Sequence, residues 1–194
     1  MLDFDNHAIS YLNTLINILR NVDLKQLKQV EEALLDAYNK DNVIYIMWNG
    51  WSASTASHYA CDFSKGTACQ WKKRFRFVSL NDNISHFTAI ANDLSFDDIF
   101  SEQLKNVLTP EDTVLVISAS WNSKNLIKAL EYAKSIWSRT IAIVWFKWGK
   151  AKEIADIYVH VDNMEYWPVE DVHMILNHLL STYFKKVIAE SIPQ

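Results

Sequence analysis

Two pairs of histidine and carboxylate side chains are the residues in this sequence best suited to chemistry. His58 and Asp62 are four residues apart in a stretch with helical character, so both project from one face of a helix. Glu170 and His178 are eight residues apart in a later helical stretch and lie within about 80° of each other around its axis. Two imidazoles and two carboxylates suit zinc or a similar divalent ion. Either pair alone is more often a salt bridge on a helix surface, so both interpretations stay open at this point.

Turns rich in hydroxyl groups follow two of the predicted strands. Residues 49–55 contain Asn49, Gly50 and Ser52, and residues 118–123 contain three serines. Amides at a helix N-terminus, together with serine hydroxyls, bind phosphate without a formal positive charge. One such turn would more often be an ordinary helix cap. Two turns at the same edge of one sheet favour a phosphate site, because ligands of open α/β sheets bind beyond the carboxyl ends of the strands.

The pattern of apolar residues predicts the elements that position these side chains. Residues 1–40 carry apolar positions at helical spacing and predict an N-terminal helical hairpin, with Asp23 capping its second helix. Residues 41–194 alternate short apolar runs with amphipathic stretches and predict an α/β core that ends in a long helix from about Val169 to Ile188. The predicted strands are "VIYIM", "FRFVSL", "TVLVIS", "TIAIVWF" and "IYVHV". Five strands separated by helices predict a three-layer α/β sandwich with a five-stranded parallel sheet.

Length and composition exclude several classes of protein. The 194 residues are 49% hydrophobic and predict a single domain over residues 1–194. The net charge of −4 disfavours nucleic acid as a partner. No apolar stretch approaches the ~20 residues of a membrane span, and the acidic N-terminus is unlike a signal peptide, so we expect a cytoplasmic protein with no membrane partner. Two cysteines without a CxxC pair predict neither a disulfide framework nor a cysteine zinc site.

Four ordered motifs resemble the sugar isomerase (SIS) domain family, most closely its phosphoheptose isomerases. They are "NGWSASTASHYACDFSKG", "SLNDNISHFTAIANDLSFDDIFSEQL", "ISASWNSKNLIKALEYAK" and "PVEDVHMILNHLL". The resemblance covers nearly the whole chain and implies a flavodoxin-like five-stranded sheet and a homotetramer with shared active sites. It also implies a divalent metal, often zinc. The implied reaction converts sedoheptulose 7-phosphate to D-glycero-D-manno-heptose 7-phosphate, in heptose synthesis for lipopolysaccharide or capsule.

The resemblance also implies roles for individual residues. His58 and Asp62 match a metal-binding His and a Glu that binds metal and transfers a proton, while His178 matches a second catalytic His. Glu170 falls where close relatives have a Gln, so it is a candidate for both substrate and metal binding. The implied substrate and phosphate ligands are Asn49, Gly50, Ser52, Ser118, Ala119, Ser120, Ser123 and, near the family's substrate-contacting carboxylate, Asp82 or Asn83. We therefore expect Asp62 to act as the base and His178 as the acid of an aldose–ketose isomerisation. His173 is expected only to pack or to form a hydrogen bond.

Two other functions stay open from the sequence. A non-catalytic SIS domain that senses or binds a sugar phosphate would need the serine turns but neither His58 nor Asp62, so the joint presence of both features favours the enzyme. An altered chain without function is the third possibility, because tryptophan stands where the family has glycine. The eight positions are Trp48, Trp51, Trp71, Trp121, Trp137, Trp145, Trp148 and Trp167. Because these positions follow turns, we expect the indoles to lie outside the core, with Trp48, Trp51 and Trp121 crowding the phosphate site.

Overall fold

The computed structural model describes residues 3–118, 123–145 and 149–191, with the backbone alone described at Trp51 and Ser118. The helices are α1 (Phe4–Arg20), α2 (Leu24–Lys40), α3 (Ala53–Cys61), α4 (Ile84–Asp93), α5 (Ser101–Val107), α6 (Lys124–Ser135), α7 (Lys150–Ile154) and α8 (Tyr166–Glu190). The strands are β1 (Val43–Met47), β2 (Arg76–Ser79), β3 (Thr113–Ser118), β4 (Arg139–Trp145) and β5 (Ile157–Val161). Short 3₁₀ segments cover Gly50–Ser52 and Phe96–Asp98, and a π-helical segment covers Asp62–Gly66.

The five strands form one parallel sheet in the order β2-β1-β3-β4-β5. β1 lies between β2 and β3, with Tyr45 opposite Val78 on one side and Val114 on the other. This is the flavodoxin-like strand order, in which the crevice between β1 and β3 opens where the direction of winding reverses. The predicted α/β class and the five-stranded parallel sheet are confirmed.

Two hydrophobic layers pack on opposite faces of the sheet. β1 sends Ile44 and Ile46 to the layer that contains Phe63 and Phe184. The alternate residues of the strand, Val43, Tyr45 and Met47, enter the layer that contains Phe100. This alternation follows from the two-residue period of a strand, and it produces the three-layer sandwich that the sequence predicts.

The helical hairpin and the last helix begin close to their predicted positions. Asp23 Oδ1 accepts hydrogen bonds from the amides of Lys25 and Gln26 at 2.8 and 3.3 Å, which confirms the predicted cap of α2. α8 begins at Tyr166, three residues before the predicted start. Pro168 lies in its first turn, where a missing amide proton breaks no intrahelical hydrogen bond. Within the described ranges, no helix is both long enough and apolar enough to cross a membrane.

Of the tryptophans whose side chains the structure describes, two are buried and three are exposed, so the expectation that all of them avoid the core is wrong for two. Trp48 and Trp145 are buried in the layer that contains Phe63. Trp48 extends β1 into the core, and Trp145 is the last residue of β4. The inward period of a strand decides the direction of both side chains, so the turn that follows does not expel them.

Trp71 and Trp137 lie at the surface and adopt left-handed backbone conformations, with φ of 63° and 66°. Their exposed fractions are 89% and 88%. Trp137 ends α6: its amide bonds the carbonyl of Lys134, and the amide of Ser138 bonds the carbonyl of Ala133. These two bonds define a Schellman motif, in which the left-handed residue is usually glycine.

Candidate active site

The crevice between β1 and β3 is closed by a pair of side-chain amides. Asn49 donates to Asn125 Oδ1 at 2.8 Å, and Asn125 donates back to Asn49 Oδ1 at 2.7 Å. Asn125 lies in the first turn of α6, is buried, and also accepts a hydrogen bond from the amide of Leu126. Asn49 is a predicted site residue, whereas sequence reasoning missed Asn125. A polar residue in the first turn after β3 was the available signal.

Asn81 fixes the start of the turn after β1. Its Oδ1 accepts a hydrogen bond from the Trp48 amide at 3.1 Å, and its Nδ2 donates to the Trp48 carbonyl at 2.7 Å. Gly50 follows with φ of 64°, a left-handed conformation that glycine adopts without steric strain. Gly50 is a predicted site residue. Asn81 was missed from the sequence, because the prediction there chose its neighbours Asp82 and Asn83.

Asp82 and Asn83 have separable roles in the structure. Asn83 Oδ1 accepts a hydrogen bond from the amide of His86 at 3.0 Å and so caps α4. The Asp82 carboxylate accepts a hydrogen bond from the hydroxyl of Ser57 on α3. Of the two, Asp82 is therefore the better candidate for a substrate contact, which remains a prediction.

Ser52 joins the first predicted phosphate turn to α8. Its buried hydroxyl donates to Glu170 Oε1 at 2.8 Å and lies 3.4 Å from the hydroxyl of Tyr166. Glu170 is thus placed beside the predicted phosphate ligand Ser52 and outside the group of metal-capable side chains described below. Its assignment as a metal ligand stays a prediction.

The second predicted phosphate turn falls largely outside the described residues. Ala119, Ser120 and Trp121 are not described, and neither is the side chain of Ser118. Ser123 is the residue that precedes the first turn of α6. The roles predicted for this turn therefore remain predictions.

Three of the four predicted histidine and carboxylate residues come together, and we call His58, Asp62 and His178 the acid–histidine group. Asp62 Oδ2 lies 3.3 Å from His58 Nε2 and 3.6 Å from His178 Nε2. One ligand atom from each residue lies within 4.8 Å of the other two. Two imidazole nitrogens and one carboxylate oxygen at these distances fit a zinc ion that keeps one coordination position open.

The local backbone and the exposure of this group suit a site that meets a small molecule. Asp62 stands where α3 changes into the π-helical segment, and its carbonyl accepts the Thr67 amide five residues on, at 2.9 Å. Single π-helical turns are rare and occur frequently at functional sites. The side chains of His58, Asp62 and His178 are 46, 24 and 53% exposed, so each can reach a bound ligand.

A third histidine of α8 lies in a different environment. His173 is completely buried, with its ring 5.0 Å from that of Trp48 and 6.2 Å from that of Trp145. Within the part of the chain that the structure describes, neither ring nitrogen has a hydrogen-bond partner. Burial lowers the pKa of His173 to about 3, so this histidine is neutral at physiological pH. The expectation that His173 packs in the core is confirmed.

Comparisons with known proteins agree with this fold. Residues 10–144 match the model of the family described as SIS domain. The chain is 31% identical over 173 residues to a probable phosphoheptose isomerase of Thermoplasma acidophilum, which covers 89% of this chain and 94% of that one. It is 33% identical over 154 residues to a phosphoheptose isomerase of Helicobacter pylori strain 26695, with 79% and 80% covered. The structure of phosphoheptose isomerase from Neisseria gonorrhoeae superposes with a TM-score of 0.86 at 24% identity, covering 95% of this chain and all of the other.

Proposed function

Because the chain belongs to the SIS domain family, we propose that it is an aldose–ketose isomerase of sugar phosphates. The substrate that we propose is sedoheptulose 7-phosphate, and the product is D-glycero-D-manno-heptose 7-phosphate. The observation that carries this proposal is the acid–histidine group, in which residues from two helices far apart in sequence meet around one carboxylate oxygen. The similarity to proteins named phosphoheptose isomerase supports the reaction class.

The reaction moves one proton between C1 and C2 of the sugar through an enediol. Asp62 removes the proton from carbon, and it is the only carboxylate in the acid–histidine group. Asp62 then returns a proton to C2, while His178 gives a proton to the C2 carbonyl oxygen and takes one from the C1 hydroxyl, so that the ketose and the aldose have the same composition. Ser52 and the amides of its turn hold the phosphate at the N-terminal end of α3.

His58, Asp62 and His178 would hold a divalent metal, for which we propose zinc. A bound ion of this kind stabilises negative charge on the oxygens of an enediol. The metal and the base then share the same short carboxylate. An aspartate reaches one methylene less far than a glutamate, so its orientation matters more for proton transfer at carbon.

The wider setting follows from the same proposal. We propose a cytoplasmic homotetramer that supplies heptose phosphate for a surface polysaccharide. Exposed apolar side chains along α1 support self-association, because isolated helices rarely present such a row to water. They are Phe4, Ile9, Leu12 and Ile16.

A turnover assay separates the enzyme from a binding module. Zinc-loaded protein is incubated with sedoheptulose 7-phosphate, and the aldose is followed by NMR, with unphosphorylated sedoheptulose as the control sugar. We expect the phosphorylated ketose alone to be converted. Tight binding of the phosphorylated sugar without any interconversion would overturn the proposal in favour of a sugar-phosphate sensor.

A further inference from the structure

Asn177 of α8 is a buried side chain that contacts the acid–histidine group. It is completely buried and immediately precedes His178. Its Nδ2 donates to Asp62 Oδ2 at 2.7 Å. Its Oδ1 is also buried and has no hydrogen-bond partner among the described residues.

An asparagine in this position does not serve stability well. The same helix buries Val172, Leu176 and Leu180 in the hydrophobic layer beside it. A buried acceptor without a partner costs about 1–3 kcal/mol, and an apolar side chain of the same shape would remove that cost. The amide is therefore better explained by what its donor does than by packing.

The donor acts on the oxygen at which the acid–histidine group converges. Without Asn177, the nearest described partners of Asp62 Oδ2 are His58 at 3.3 Å and His178 at 3.6 Å, both partly exposed. The contact with the buried Asn177 amide, at 2.7 Å, is the shortest of the three. It therefore fixes the rotation of the Asp62 carboxylate.

We propose that Asn177 is a positioning residue that orients the Asp62 carboxylate for metal binding and for proton transfer. The part that concerns proton transfer rests on the proposed function, whereas the part that concerns the metal does not. The contact also ties the C-terminal end of α3 to α8, as the Ser52–Glu170 bond does at its N-terminal end and the Tyr59–His173 bond does between them.

The test compares Asn177→Leu with the parent protein by zinc calorimetry, thermal unfolding and turnover. We expect zinc affinity to fall ~10–100-fold, the usual effect of losing a group that orients a metal ligand. We expect the melting temperature of the metal-free protein to stay the same or rise. Asn177→Ala is the second variant, in case leucine does not fit. Gln103→Leu is the matched control, because Gln103 is also a buried amide on a helix but bonds only the carbonyl of Ile99.

A double-mutant cycle makes the test specific. In an Asp62→Asn background, Asn177→Leu should cause no further loss of zinc affinity or turnover, because the carboxylate through which it acts is gone. The proposal would be overturned if Asn177→Leu leaves zinc affinity unchanged when Asp62 is present. It would also be overturned if Asn177→Leu lowers zinc affinity equally in the Asp62→Asn background. A loss of zinc affinity in a protein that turns over no sugar phosphate would refute the isomerase and leave the positioning role standing.

A separate observation concerns the tryptophans themselves. Trp71 and Trp137 occupy left-handed positions with their indoles almost fully in water, where the side chain gains no burial to offset the strain. The chain has eight tryptophans and three glycines, against an average glycine usage near ~7%. Tryptophan thus occupies two left-handed positions that strongly favour glycine.

We infer that the codons for Trp71 and Trp137 are ones that the source cell reads as glycine. The codon UGA has this property, since different genetic codes read it as stop, tryptophan or glycine. The expected gene has UGA at both positions, and peptides from the source cell carry glycine at 71 and 137 by mass spectrometry. A UGG codon at either position, or a tryptophan mass in either peptide, would contradict the inference.

Discussion

Two histidines five residues apart on α8 have opposite surroundings. His178 is half exposed and faces a carboxylate supplied by α3, whereas His173 is enclosed by two indoles. The exposed ring of His178 can contact a ligand, while burial holds His173 neutral. The residues packed against each histidine therefore decide its chemistry, although both histidines lie on the same helix.

Asparagine completes the contrast between the two regions. At the acid–histidine group, the buried Asn177 side chain donates a hydrogen bond from Nδ2 to Asp62 Oδ2. Around His173, both ring nitrogens remain without a partner within the described chain. The predictions that follow test each side of this difference.

The largest effect is expected at the carboxylate. Asp62→Asn keeps the size of the side chain but removes the base, and we expect kcat to fall by about 10²–10⁴-fold. Turnover of the sugar phosphate measures it, with Asp93→Asn on α4 as a matched exposed control. Near-normal kcat in Asp62→Asn would show that the group does not perform the proton transfer.

The next effect concerns metal binding by the two histidines of the acid–histidine group. His178→Ala should weaken zinc binding by at least the ~10–100-fold that follows loss of a mere supporting contact, because it removes a direct ligand. His58→Ala should do the same, and His86→Ala should leave zinc affinity unchanged. Calorimetric titration of the purified variants gives the three affinities. Equal affinities in all of them would mean that the acid–histidine group is not the metal site.

The pH dependence of stability tests the buried side of the comparison. The pKa of His173 is about 3 in the folded state, against the ordinary histidine value of 6.5. The unfolded chain therefore binds a proton that the folded chain does not, and the free energy of unfolding falls as the pH drops from 6.5 toward 3. At pH 5 this term costs about 2 kcal/mol relative to pH 8, using ~1.4 kcal/mol per pH unit.

His173→Leu should remove that term. Urea unfolding at pH 8 and pH 5 should show a smaller loss of stability in the variant than in the parent, by about 2 kcal/mol. His7→Gln, at an exposed position of α1, is the control and should follow the parent. If the parent and His173→Leu lose the same stability on acidification, His173 is already hydrated or hydrogen-bonded.

The smallest effect concerns Trp137, an indole that lies at the surface. Trp137→Gly relieves a left-handed position and should raise the free energy of unfolding by about 1 kcal/mol. Trp167→Gly is the matched control: it changes an exposed tryptophan in the first turn of α8, where glycine should lower stability by up to ~1 kcal/mol. The same sign of change in both variants would contradict this account of Trp137.

Most of the fold could be predicted from the sequence, because the apolar runs of the strands and the cap at Asp23 are local signals. The meeting of His58 and Asp62 could be predicted from their helical spacing, and that of His178 with them from the family resemblance. Asn177, Asn81 and Asn125 could not, since a single asparagine has many uses and only the folded chain shows which atom it faces. The burial of Trp48 and Trp145 was mispredicted because the inward direction of each strand outweighed the turn that follows it.

The most direct test of the central claim follows solvent deuterium. Zinc-loaded parent protein and Asp62→Asn are each incubated with sedoheptulose 7-phosphate in D₂O, and deuterium at C1 and C2 is measured by NMR. If Asp62 is the base, deuterium enters the sugar in the parent reaction as the aldose forms. With Asp62→Asn, no deuterium enters the sugar. Deuterium exchange at the same rate in both proteins, or none in the parent despite bound sugar phosphate, would contradict that role of Asp62.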